Sequence, residues 1–131
     1  MITSSEVSKY LYRILNQNSL TGLISGKIYR EQKPTNSELQ DIVINTIFLK
    51  SGHYSDIQNG KANINIYTKS LNGLHDLENL TSITNVVLDL LENNTQSNNA
   101  FYYQIIDTNL IKDLQQNSMY YNNIILNIQK Y

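Results

Sequence analysis

Between Ser5 and Gln17, apolar side chains recur at Val7, Tyr10, Leu11, Ile14 and Leu15. Spacings of three and four place them on one stripe of an α-helix. Ser4 or Ser5 can cap it, Glu6 stands in the first turn where the helix dipole favours an acid, and Asn16 to Asn18 end it. After a connector bracketed by Gly22 and Gly26 the period changes from helical to alternating. Lys27 to Arg30 reads as a short strand. Residues 31–38 form a polar loop around Pro34, whose missing N–H would leave a gap in a sheet ladder. From Gln40 to Lys50 one side carries Ile42, Ile44, Thr46 and Phe48, and the other Val43, Asn45, Ile47 and Leu49. Both sides are largely apolar, as expected of a central strand.

Residues 51–60 (SGHYSDIQNG) are rich in turn formers and end in Asn-Gly, a strong hairpin signal. Lys61 to Thr68 then alternates, with Ala62, Ile64 and Ile66 inward and Asn63, Asn65 and Tyr67 outward. A second helix is predicted from about Leu74 to Glu92, on Leu77, Leu80, Ile83, Val87 and Leu91, with Val86 and Leu90 widening the stripe. Beyond the polar loop 93–99, Phe101 to Lys112 and Met119 to Ile128 read as two strands of a long antiparallel hairpin turning at 114–118. The order is α-β-β-β-α-β-β, without an internal repeat. It predicts an α+β domain of two layers, a mainly antiparallel sheet with two helices on one face. The 131 residues are expected to make one domain, spanning 1–131.

Composition narrows the function classes. There is no cysteine, so neither a disulfide nor a thiolate metal site is possible. Ten basic and eleven acidic residues give a net charge of −1. A dedicated nucleic-acid-binding domain would normally carry a basic excess. The N-terminus lacks the basic and apolar regions of a signal peptide, and no apolar run reaches the roughly 18 residues of a membrane span. The expected site of synthesis and assembly is therefore the cytoplasm, with no membrane. The sequons at Asn79 and Asn93 then read as chance matches. Asn, Ile and Tyr are abundant. Because the Asn residues are scattered among well-patterned apolar positions, an AT-rich genome explains the usage better than a disordered, prion-like chain.

Candidate chemistry is sparse. Gly22-Leu-Ile-Ser-Gly26-Lys27-Ile28 resembles a phosphate loop but is one residue short between the glycines, has Ile28 in place of the Mg²⁺-binding hydroxyl, and precedes a strand. His53 and His75 have no zinc-motif spacing and would need Asp56 or Asp76 to build a site. Asp107 and Asp113, on one strand, would lie roughly 20 Å apart, too far for shared acid–base work. No serine stands in a Gly-x-Ser-x-Gly elbow. The chain is therefore expected to have no catalytic, cofactor or metal residues.

Tyrosine is the distinctive residue type: Tyr102, Tyr103, Tyr120, Tyr121 and Tyr131 crowd the last hairpin. With only Lys112 and Lys130 nearby, a protein interface is a better reading than a base-stacking platform. Filling of the core by alternate rings is an equal reading. Tyr54 and Ile57 stand out as large side chains in an otherwise polar turn, which makes 51–60 read as a contact loop, the alternative being a small satellite cluster folded back on its own sheet.

Taken together, GKIYREQKP (26–34), the apolar strand DIVINTIFL (41–49) and NGKANINIYT (59–68) followed by an amphipathic helix resemble the bacteriophage tail-terminator and head–tail neck (tail-completion) family. The resemblance rests on element order, spacing and the proline loop, and covers nearly the whole chain. It implies a lambda tail-terminator-like fold and a structural role in a virion assembled in the host cytoplasm. Copies of the chain would form a ring, a hexamer or larger, beside other neck or tail proteins, with DNA passing through the lumen without specific binding. Such a ring needs two different complementary faces per subunit. The loops at 31–38 and 51–60 would project toward neighbours. The expected interface residues are Lys33, Pro34, His53, Tyr54, Ile57, Tyr102 and Tyr120. The competing classes are a non-viral α+β adaptor domain and a small metal-assisted enzyme.

Overall fold

The computed structural model describes residues 3–51, 58–71, 74–75, 77–94, 101–113 and 119–130. Helix α1 spans Ser4–Leu15 and a four-residue helix α2 spans Asn18–Thr21. Strands β1 (Ile28–Arg30), β2 (Ile42–Ser51), β3 (Gln58–Leu71) and β4 (Leu74–His75) follow. Helix α3 (Leu77–Asn93) precedes β5 (Tyr102–Lys112) and β6 (Met119–Lys130). The fold is the expected α+β arrangement, with a mixed sheet in the order β1-β2-β3-β6-β5 and β4 paired to β3. Every neighbour pair is antiparallel except β1 with β2, which is parallel.

Alternation along the strands sorts residues to two faces. Ile42 and Ile44, then Ala62, Ile64 and Ile66, then Ile124, Leu126 and Ile128 lie under the helices and are buried. Val7, Leu11, Ile14 and Leu15 of α1 and Leu80, Ile83, Val87 and Leu91 of α3 complete this core. Phe101 joins it, with Tyr10 edge-on at 5.5 Å between ring centroids. Burying each such side chain contributes roughly 1.5–3 kcal/mol, so this layer dominates the stability of the domain.

Several boundaries differ from expectation. The cap of α1 is Thr3, whose Oγ1 accepts from the Glu6 N–H at 3.2 Å. Leu74 and His75 do not start a helix; they pair with Leu71 and Ser70 as β4. Leu77, assigned to the apolar stripe, is 52% exposed because α3 begins there, at the rim of the core. Asn59 and Gly60 do not form the turn. They lie inside β3, opposite Lys50 and Leu49, because the strand pairing continues past them to Ser51 and Gln58.

The strand expected to be central is central only in its first three residues. β2 has β3 on one side, but β1 covers it only at Ile42, Ile44 and the Val43 between them. Its strict alternation also breaks between Thr46 and Phe48, where the register shifts. The central strands are β3 and β6, which pair from Gln58↔Lys130 to Lys69↔Met119.

Candidate assembly surface

The sheet face away from the helices is paved with amides. Asn45, Asn63, Asn65, Asn109, Asn123 and Asn127 all fall on it by register. Asn123 is the hub: its Nδ2 donates to Asn63 Oδ1 at 3.1 Å and to Asn65 Oδ1 at 2.6 Å. Asn63 Nδ2 in turn donates to Asn45 Oδ1 at 3.1 Å. The chain of bonds crosses β6, β3 and β2, and leaves Asn123 only 8% exposed. A side-chain amide carries both donors and an acceptor, so Asn can continue such a chain where a charged side chain could not. The outward placement of Asn63 and Asn65 was legible from period two. The ladder was not, because it depends on which strands are neighbours.

At one end of this face the 31–38 loop folds over the sheet. Glu31 turns the chain out of β1 with φ of 72°, and its N–H donates to Ile44 O at 2.7 Å. The loop, β2, β3 and Asp113 enclose a polar pocket of about 280 Å³, lined by Glu31, Lys33, Asn45, Asn65 and Tyr67 among others. Lys33 Nζ donates to Ser37 O at 3.1 Å and sits 4.8 Å from the centre of the Tyr67 ring. Tyr67 lies opposite Tyr121, with ring centroids 5.0 Å apart. Burial, reinforced by Asp113, Tyr121 and Asp41, pushes the Tyr67 hydroxyl up to about 12. Burial foremost, with Asp113, also raises Tyr121.

Asp41 anchors the loop. It is fully buried. Its carboxylate accepts from the Lys27 N–H at 3.0 Å and from the Ser37 hydroxyl, and its carbonyl accepts from the Tyr67 N–H at 2.9 Å. Gly26 is required beside it, since a Cβ there would lie 2.0 Å from Asp41 Oδ1. The glycine of the apparent phosphate loop thus serves close packing.

The expected interface residues are dispersed. Lys33 is half-buried over the sheet, Pro34 is exposed on the loop, and Tyr102 is exposed on β5 with its hydroxyl donating to Gln129 Oε1. Tyr120 is half-buried on β6, opposite Lys112. His53, Tyr54 and Ile57 lie outside the described residues. Of the hairpin tyrosines, Tyr103 is core: its hydroxyl donates to Leu91 O at 2.5 Å at the end of α3. Among the described residues, no three His, Asp or Glu side chains lie together as metal ligands. No helix among them is long and apolar enough to cross a membrane.

No protein-family model matches the chain, and no curated protein matches it. Among solved structures, it is similar to a chain of the virion of a native gene transfer agent particle. The TM-score is 0.63 at 11% identity, over 92% of this chain and 90% of that one. At this identity the similarity establishes a shared fold.

Proposed function

We propose that the protein is a structural component of a phage-like virion, forming a closed ring at the head–tail neck or tail end. The observation that carries this reading is the shared fold with a gene transfer agent virion chain over nine-tenths of each chain. The sequence resemblance to the tail-terminator and neck family, drawn from element order and the proline loop, points the same way. The near-neutral charge and amide-paved face also suit a wall past which DNA slides, since a basic lumen would hold phosphates. In this reading the partners are further copies of the chain and adjacent neck or tail proteins. The loop around Lys33 and Pro34 reaches toward them.

Negative-stain electron microscopy and mass photometry of the purified protein, alongside immunogold labelling of particles, test the proposal. Closed rings and label at the head–tail junction are expected. A protein that stays monomeric at high concentration and is missing from particles would favour a non-viral adaptor.

A further inference from the structure

Each side of the sheet ends in a strand with backbone groups that no described residue pairs. Among the described residues β6 is the only strand that pairs with β5, whose eleven residues are free of proline. On the other side β1 stops at Arg30, opposite Ile44, so the outer side of β2 from Thr46 to Ser51 has no partner among the described residues. Monomeric proteins shorten, charge or cover such edges, because open apolar ones recruit further strands. Here the edges carry Ile47 at 51% exposure, Ile106 at 47% and Leu110 at 44%.

The two edges match each other. Successive pairs β2-β3, β3-β6 and β6-β5 are antiparallel, so β2 and β5 run in opposite senses at the two sides. Thr46, Ala62, Leu126 and Ile105 form one row across the sheet. Each strand has its register break immediately C-terminal to that row, and the extra residues are Ile47 and Ile106; because the strands run oppositely, the two lie on opposite sides of the row, about one residue step apart. A bulge re-aims its side chain at a sheet edge. A second copy rotated about an axis along the strands would bring β5 beside β2 in antiparallel sense, with the two isoleucines offset along the strands by only about one residue step, roughly 3 Å.

We propose that copies of the chain join head to tail, the outer edge of β5 adding to residues 46–51 of β2 in the next copy, with Ile106 and Ile47 meeting at the seam. The partner is a second copy because one chain carries both halves of the match. The contact is heterologous, and repeated rotation closes it into a ring. This inference rests on the ring reading above and specifies its contact.

The absence of cysteine makes the test clean. Ile47→Cys, Ile106→Cys and the double variant are treated with a short bis-maleimide linker, with circular dichroism melting as the folding check. The double variant is expected to give a ladder of covalent oligomers ending at the ring size. Each single variant should give no covalent oligomer, and a mixture of the two should stop at covalent dimers. Ile106→Lys, a change at an exposed bulge, should abolish rings while leaving the melting temperature in place. Dimers from Ile106→Cys alone would mean β5 pairs with β5, and overturn the proposal. Rings seen by microscopy without a ladder, and undisturbed by Ile106→Lys, would overturn the contact while leaving the ring reading intact. A wild-type protein that forms no ring would remove both.

Discussion

Asp41 offers the sharpest test of how the sequence holds the loop over the sheet. It is fully buried, and its carboxylate ties the start of β1, through the Lys27 N–H, to the loop, through Ser37. Asp41→Ala removes two hydrogen bonds to a charged acceptor, worth about 1.5–3 kcal/mol each. It also strands the donors left behind, so a loss of about 3–5 kcal/mol is expected. That is a large share of the roughly 5–15 kcal/mol that stabilises a typical domain. Urea denaturation should show the midpoint falling at unchanged slope, because the loss is in stability and not in the area exposed. Ser37→Ala alone should cost about 1.5–3 kcal/mol, and close to nothing in the Asp41→Ala background, because the bond it would break is already gone. If Asp41→Ala loses less than about 1 kcal/mol, or the two changes add, the carboxylate does not hold the loop and the reasoning fails.

Other outcomes follow from the same geometry. Asn123→Ala breaks two neutral bonds in the amide ladder, and should cost about 1–3 kcal/mol by denaturant melting, whereas Asn127→Ala on the same strand should cost less than half as much. Tyr103→Phe should lose about 1 kcal/mol by removing one of the two hydrogen bonds that the Leu91 carbonyl accepts, the other coming from the Asn94 N–H, and no loss would mean that the hydroxyl bond adds nothing to stability. Tyr67 has its folded-state pKa raised to about 12 from 10, so its neutral form is the stabilised one. Its contribution is intact below about pH 10 and disappears as pH climbs toward 12, and Tyr67→Phe should blunt this alkaline loss of stability followed by circular dichroism. Glu31→Gly should hold or raise stability by up to about 1 kcal/mol, since a left-handed backbone penalises a side chain, and a clear loss would show that the Glu31 side chain is needed.

The elements that were legible in the sequence are those whose signal is local. The stripe of Val7, Leu11, Ile14 and Leu15 and the alternation of Ala62, Ile64 and Ile66 appear in the structure as read, because burial acts on period. The hairpin of β5 and β6 was equally plain. What failed depended on neighbours distant in sequence. Apolar residues on both sides of β2 read as a central strand, yet β1 is too short to cover it, and Val43 is buried beneath the folded-over loop while Ile47 is exposed. Asn59-Gly60 carries a turn signal, but pairing on both sides, with Lys50 and Gln129 for Asn59, holds it in strand. The tyrosine cluster could not be divided into Tyr103 inside and Tyr102 outside until the β6 register set the faces.

The sequence by itself determined the α+β class, the helix stripes and the inward face of the sheet, since hydrophobic period alone decides which side of each element leaves water. Only the tertiary structure decided the strand order, and with it the amide ladder through Asn123, the anchoring of the loop by Asp41 and the two matched open edges. Apart from the local Ser37–Asp41 bond, those features join residues from 14 to 60 positions apart. Partners at such distances are chosen by the packing of whole strands and leave no trace in the local pattern.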